Sequence, residues 1–168
     1  MFLFKRISLT LAILLCLSLS LLFTGCDPGN DFVDDGRLNT KLIGTWISYW
    51  GEDGDYDSYT ITDNSVSYVF ASEDWGNNGF IGAIRHVANF SNSAGVIIIE
   101  YNSGDFVIPG QFIGIYYQDL NPGASVRMGT AWADGGAEEL TLAAAIAAFT
   151  LGNEGKYMSS YGTYLSNQ

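Results

Sequence analysis

Residues 58–70 read Ser-Tyr-Thr-Ile-Thr-Asp-Asn-Ser-Val-Ser-Tyr-Val-Phe. On either side of Asp63-Asn64 the residues alternate between large apolar and small polar, the period of a strand. A two-residue loop of Asp and Asn tolerates the positive φ angles that a tight hairpin asks for. With that loop, Ile61 falls opposite Val66 and Tyr59 opposite Tyr68, all on one face, while Thr60 and Ser67 share the other. Turn chemistry and pattern agree on a register, and the stretch predicts an antiparallel hairpin.

The same period recurs along the chain. Further strands are predicted over about 80–90, 96–101, 112–119 and 125–133. The loop Ser91-Asn92-Ser93-Ala94-Gly95 joins one pair, and Asn121-Pro122-Gly123-Ala124 suits a type II turn joining another. In the last of these strands Val126, Met128, Thr130 and Trp132 alternate against Arg127, Gly129, Ala131 and Ala133. One helix is expected: Thr141 caps it, alanines favour it, Leu142, Ile146 and Phe149 fall on one stripe, and Gly152 ends it. Residues 155–164 read as a closing strand. No internal repeat is visible. The fold class expected is mainly β, a small antiparallel up-and-down barrel with one late helix.

The chain opens with Lys5-Arg6 and then runs apolar from Ile7 to Phe23, broken only by Ser and Thr. A short basic head before an apolar segment is the pattern of a secretory signal; a permanent membrane anchor is the alternative, since a span takes roughly 17 to 25 such residues. Phe23-Thr24-Gly25-Cys26 resembles the lipobox of bacterial lipoproteins, with Phe23 where the family prefers Leu. The resemblance implies a diacylglyceryl group on Cys26 and cleavage before it. Residues 1–25 are then a signal peptide. Residues 26–40, rich in Asp, Gly and Pro, form an acidic tether, and residues 41–168 form the barrel domain. The two cysteines are Cys16 and Cys26, so no disulfide can form within that domain. Loss of Lys5 and Arg6 with the signal moves the formal net charge from −11 to −13. A field of that sign repels phosphate backbones and excludes nucleic acid as a partner.

Leu42-Ile43-Gly44-Thr45-Trp46 contains Gly-x-Trp, which is similar to the opening-strand motif of the calycins, the superfamily of lipocalins and avidins. The resemblance implies that Trp46 plugs one end of the barrel and that Gly44 lets the chain bend. It also implies a late arginine against the tryptophan, for which Arg127 is the only choice. The second motif of lipocalins is absent.

Catalytic machinery is poorly supported. One histidine, His86, shares a predicted face with Ile84, Ala88 and Phe90, which reads as a core histidine ahead of a ligand or base. No nucleophile elbow, phosphate loop or zinc spacing is present, and no cofactor is expected. Asp53, Asp55 and Asp57 alternate as at the start of a calcium loop, but Ser58 and Asn64 break the rest of that pattern, leaving an acidic loop or at most weak calcium binding. Tyr59, Tyr68, Tyr116 and Trp132 are predicted to face inward, with Trp46 near one end. Such rings suit an apolar ligand pocket or a plain packed core. Trp75 sits in a polar loop, either exposed as a protein-contact anchor or folded over the barrel mouth. The function expected is a lipid-anchored envelope lipoprotein holding a small apolar ligand in a lipocalin-like barrel. The alternative is an envelope or surface interaction protein whose barrel is filled.

Overall fold

The computed structural model describes residues 34–50, 54–133 and 136–167. The expected signal segment, Cys26 and Asp53 lie outside the described residues. Eight strands form a closed antiparallel barrel: β1 (Gly44–Tyr49), β2 (Tyr56–Ile61), β3 (Ser65–Ser72), β4 (Gly76–Ser91), β5 (Ala94–Gly104), β6 (Phe112–Asn121), β7 (Ser125–Thr130) and β8 (Gly162–Ser166). Each pairs with the next, and β8 returns to β1 through Trp46–Ser166 and Ile47–Leu165. The turns 62–65, 91–94 and 121–125 lie at one end, the base. The strand ends joined by the β1–β2, β3–β4, β5–β6 and β7–β8 connections lie at the other, the rim.

The β2–β3 hairpin has the expected register, with Ile61 opposite Val66, Tyr59 opposite Tyr68 and Thr60 opposite Ser67. Its turn closes differently, because neither Asp63 nor Asn64 takes a positive φ. Thr62 holds it instead: its N–H donates to the Ser65 carbonyl at 2.9 Å, and its hydroxyl accepts the Ser65 N–H at 3.1 Å. At the β6–β7 turn Gly123 has φ 70°, and Ala124 N–H reaches the Asn121 carbonyl at 3.0 Å, as a type II turn requires.

Gly44 has φ 141°, open to glycine but rare for other residues, and it swings the chain from the 3-10 turn Thr40–Leu42 into β1. That turn sits across the base. Trp46 is 1% exposed, and its indole N–H donates to the Leu42 carbonyl at 2.8 Å. The ring therefore both fills the base and satisfies a carbonyl of the turn that covers it. Arg127 does not reach it. The guanidinium lies outside the barrel, 3.3 Å from Asp119 and 5.5 Å from the centroid of the Tyr161 ring.

The late helical region differs from expectation. Helix α1 (Leu142–Ala148) is capped by Thr141, whose hydroxyl accepts the Ala144 N–H at 3.2 Å. It buries Ala145 and the following Phe149, whereas Ile146 turns to solvent. Gly114 on β6 sets this rotation: a Cβ there would lie 2.7 Å from the Phe149 ring, so glycine makes room for that ring against the sheet. The Asn153 amide caps the helix end through the Ala148 carbonyl at 2.9 Å, ahead of Gly152. Residues expected to begin the last strand form a second helical turn, α2 (Glu154–Tyr157), and β8 spans Gly162–Ser166 alone.

Part of the expected tether is docked. Asp34 accepts the Asn89 amide at 3.2 Å, Arg37 carbonyl accepts the same amide at 2.9 Å, and Asn39 donates to Asn92 carbonyl at 3.0 Å. Slight burial raises the Asp34 pKa, but the N–H groups of Gly36 and Asn89 and the Asn89 amide together hold it below the usual carboxylate value. Residues 34–39 thus belong to the base of the barrel.

Trp46→Ala should cost about 3–5 kcal/mol in urea unfolding. Trp46→Phe keeps most of the ring and should cost nearer ~1 kcal/mol for the lost N–H bond. Equal stability of the alanine variant and the wild type would refute the plug.

Candidate functional site

Inside the barrel, rings carried by β8, β2, β3, β4 and β5 touch in turn. Tyr164 packs edge-on against Tyr59 with centroids 5.2 Å apart, and Tyr59 meets Tyr68 at 4.9 Å. Tyr68 stacks on Phe80 at 5.2 Å, and Phe80 packs edge-on to Tyr101 at 5.1 Å. These are the spacings of rings in van der Waals contact. Ile97, Ile99, Ile113 and Ile115 complete the opposite side, each fully buried. The Tyr59 hydroxyl spans to Thr130 on β7 at 2.8 Å, so the polar tip also finds a partner. Burial raises the pKa of Tyr59, Tyr68, Tyr101 and Tyr164 well above that of a free phenol, and all stay neutral at physiological pH.

One carboxylate joins this array. Asp57 projects inward on β2 and accepts the hydroxyls of Tyr164 and, at 3.5 Å, Tyr68. Burial raises its pKa, against the opposing effect of those hydroxyl donors. Asp55 turns to the loops instead, accepting Ser72 hydroxyl at 2.9 Å and Glu73 N–H at 3.1 Å. The two candidate calcium ligands therefore have separate structural duties. Among the described residues no group of three His, Cys, Asp or Glu side chains is placed to hold a metal.

The other candidates divide. Trp46, Tyr59 and Tyr68 face inward as expected. Tyr116 is buried but on the outer face: it pairs with Val96 and Gly129, lies two residues from Gly114, and donates to the Thr150 carbonyl at 3.2 Å. It packs under the helical cover, not into the lumen. His86 also faces out, because a β-bulge between Ile84 and His86 leaves Arg85 without an opposite residue and shifts the alternation. It lies half-buried beside the N-terminal segment, and Val87 takes the inward place. Trp132 is 66% exposed. Strand β7 ends at Thr130, and the Ala131 and Trp132 N–H groups turn to Gly114 and Tyr157 carbonyls at 2.7 and 3.0 Å.

The wall carries polar groups outward, such as the Thr45–Thr60 hydroxyl pair and the Arg85–Glu100 ion pair at 2.7 Å. This is the reverse of the apolar-out arrangement of a transmembrane barrel. Grooves of about 320 to 380 Å³ open on the outer surface. One is bordered by Val69, Gly79 and Ile81, and another by residues 35–41 against Asn89.

The rim is different. Trp75 is 79% exposed and Phe106 96% exposed, and Tyr49, Ile108, Trp132 and Leu140 are exposed at the same end. Phe106 has φ 59°, which bulky residues rarely adopt and which costs about 1–3 kcal/mol. Asp105 anchors this loop: its N–H donates to Gly79 carbonyl at 2.8 Å, and its carboxylate accepts Gly79 N–H at 3.2 Å. The exposed Trp75 was legible in its polar loop. Phe106 and Trp132 were not, since in sequence they read as ordinary apolar residues near strand ends.

Asp57 also sets a pH test. Because its folded pKa is raised, the folded state holds the proton longer than the unfolded chain. Its contribution to stability is therefore most favourable below the ordinary carboxylate pKa and declines as pH rises through the folded value. Relative to wild type, Asp57→Asn should gain stability between pH 3.5 and pH 7, read by urea unfolding at each pH; a difference that does not change with pH would refute the burial of this charge. Comparison with protein-family models, curated proteins and solved structures finds no match to this chain.

Proposed function

We propose that the protein is a lipid-anchored envelope lipoprotein whose filled barrel serves as a scaffold for contact with another macromolecule. One observation carries this reading: the lumen is occupied by touching rings, while large apolar side chains crowd the solvent-facing rim. A barrel that carries a small molecule keeps an enclosed space of about 300 Å³ or more, and here rings occupy that place. The holding of a small apolar ligand in a lipocalin-like lumen is accordingly the weaker reading. The lipobox-like Phe23-Thr24-Gly25-Cys26 supports the anchor. Residues 34–39, which follow the expected anchor in sequence, dock at the base of the barrel.

Two substitutions separate a filled barrel from a ligand carrier. Tyr59→Ala should cost about 3–5 kcal/mol, because it removes a ring from a packed interior. Trp132→Ala should change stability by less than about 0.5 kcal/mol, as expected of an exposed side chain. A metabolite or lipid retained by the purified protein in native mass spectrometry, with Tyr59→Ala scarcely destabilised, would overturn the filled-barrel reading. Cys26→Ser should move the protein out of the membrane fraction or leave it unprocessed, because acyl chains contribute about 0.8 kcal/mol per buried CH₂. A processed serine variant that stays membrane-bound would overturn the anchor.

A further inference from the structure

We infer that the rim docks a cationic protein surface, with arginine or lysine side chains seated on its exposed aromatic rings. This rests on the interaction reading above and adds the chemistry of the partner. The rings and carboxylates of the rim alternate closely: Asp74 precedes Trp75, Asp105 precedes Phe106, and Glu138 and Glu139 precede Leu140. Asp74, Asp105 and Glu138 are exposed beside those apolar groups. A guanidinium or ammonium over a ring face with a carboxylate alongside gains both the quadrupole attraction and a charge-assisted hydrogen bond. Asp105 and Glu138 each accept one backbone N–H, from Gly79 and Ala137, and a neutral apolar partner would desolvate their remaining acceptor sites without compensation.

The cations among the described residues do not fill this role. Among the described residues, the ion pairs are Arg37–Asp35, Arg85–Glu100 and Arg127–Asp119, all at the base or on the wall. Lys41 lies in the turn that covers the base, and Lys156 lies over the Tyr157 ring at 4.8 Å beside the helical cover. Asp74, Asp105 and Glu138 thus belong to none of the ion pairs among the described residues. The rim's loops are also tied to the barrel through Asp55–Ser72 and Asp105–Gly79, so the rings are held out before a partner arrives. Presentation on fixed loops reduces the ordering cost of association.

The test uses the full-length chain in neutral detergent, titrated into a labelled arginine–glycine peptide and into the same peptide with citrulline in place of arginine. Fluorescence anisotropy should report binding of the arginine peptide that weakens with added salt, and much weaker binding of the citrulline peptide. Trp75→Ala and Phe106→Ala should each weaken binding roughly two- to fivefold, the range for an exposed cation–π contact, with unchanged thermal unfolding. The pair Asp74→Asn and Asp105→Asn should weaken it further, whereas Asp35→Asn at the base, an equal loss of charge, should not. The inference is overturned if the arginine peptide fails to bind at low salt or if citrulline binds as well. It is also overturned if Asp35→Asn matches the rim variants, or if both ring variants bind like wild type. A small molecule retained in the lumen by native mass spectrometry would instead remove the interaction reading itself. Absence of peptide binding with an empty-handed, fully packed barrel would remove only the cationic chemistry.

Discussion

The continuous contact of Tyr164, Tyr59, Tyr68, Phe80 and Tyr101 is the constraint on which the rest of the barrel depends. No cysteine lies in the barrel domain, so nothing covalent closes it. Closure must come from strand pairing and from what fills the lumen. Each ring is carried by a different strand (β8, β2, β3, β4 and β5), and contact between them fixes how those strands stagger. The hydroxyls of Tyr59, Tyr68 and Tyr164 then need partners away from bulk solvent, and Thr130 and Asp57 supply them. The raised pKa of Asp57 is a by-product of that arrangement: a carboxylate was placed where tyrosine hydroxyls needed an acceptor.

A lumen filled in this way leaves the outside of the barrel as the surface open to contact. Closure removes every sheet edge, so strand addition is not open to a partner. The wall is divided between polar pairs and the helical cover, where Gly114 admits Phe149 and Gly129 faces Met158. The base is occupied by the Thr40–Leu42 turn and by residues 34–39. Among the described residues, the rim alone combines exposed rings with loops anchored by side-chain hydrogen bonds.

What the sequence disclosed follows from period. Where one face was apolar and the other polar, as in β2 and β3, alternation defined both the strands and their register. It was silent where both faces are buried. The runs Val96–Ile99 and Ile113–Tyr117 are apolar at every position, so alternation could not say that Tyr116 points out and Tyr117 in. An uninterrupted apolar run is itself a sign of a strand covered on both sides, and the nearby alanine-rich helix was the available cover. Alternation misled at His86, because one extra residue at Arg85 inverted the positions from His86 to Asn89. It misled again at Trp132, two residues beyond the end of β7. The short helical turn over Glu154–Tyr157 depends on tertiary partners such as the Tyr161 hydroxyl on Glu154, which no local pattern encodes.

The link after β5 shows how the fold and the rim are connected. Gly104 has φ 152°, and a Cβ there would come within 2.5 Å of the Gly79 carbonyl, so only glycine lets β5 press this closely on β4. The next residue, Asp105, then completes the pairing through its own N–H and carboxylate. With both neighbours committed to the barrel, Phe106 is left to make the reversal at positive φ. Glycine or asparagine would take that conformation at lower cost. Phenylalanine there has no burial to offset the strain, since its ring is almost wholly in solvent. In the interaction reading proposed above, a contact outside the chain is what offsets that cost.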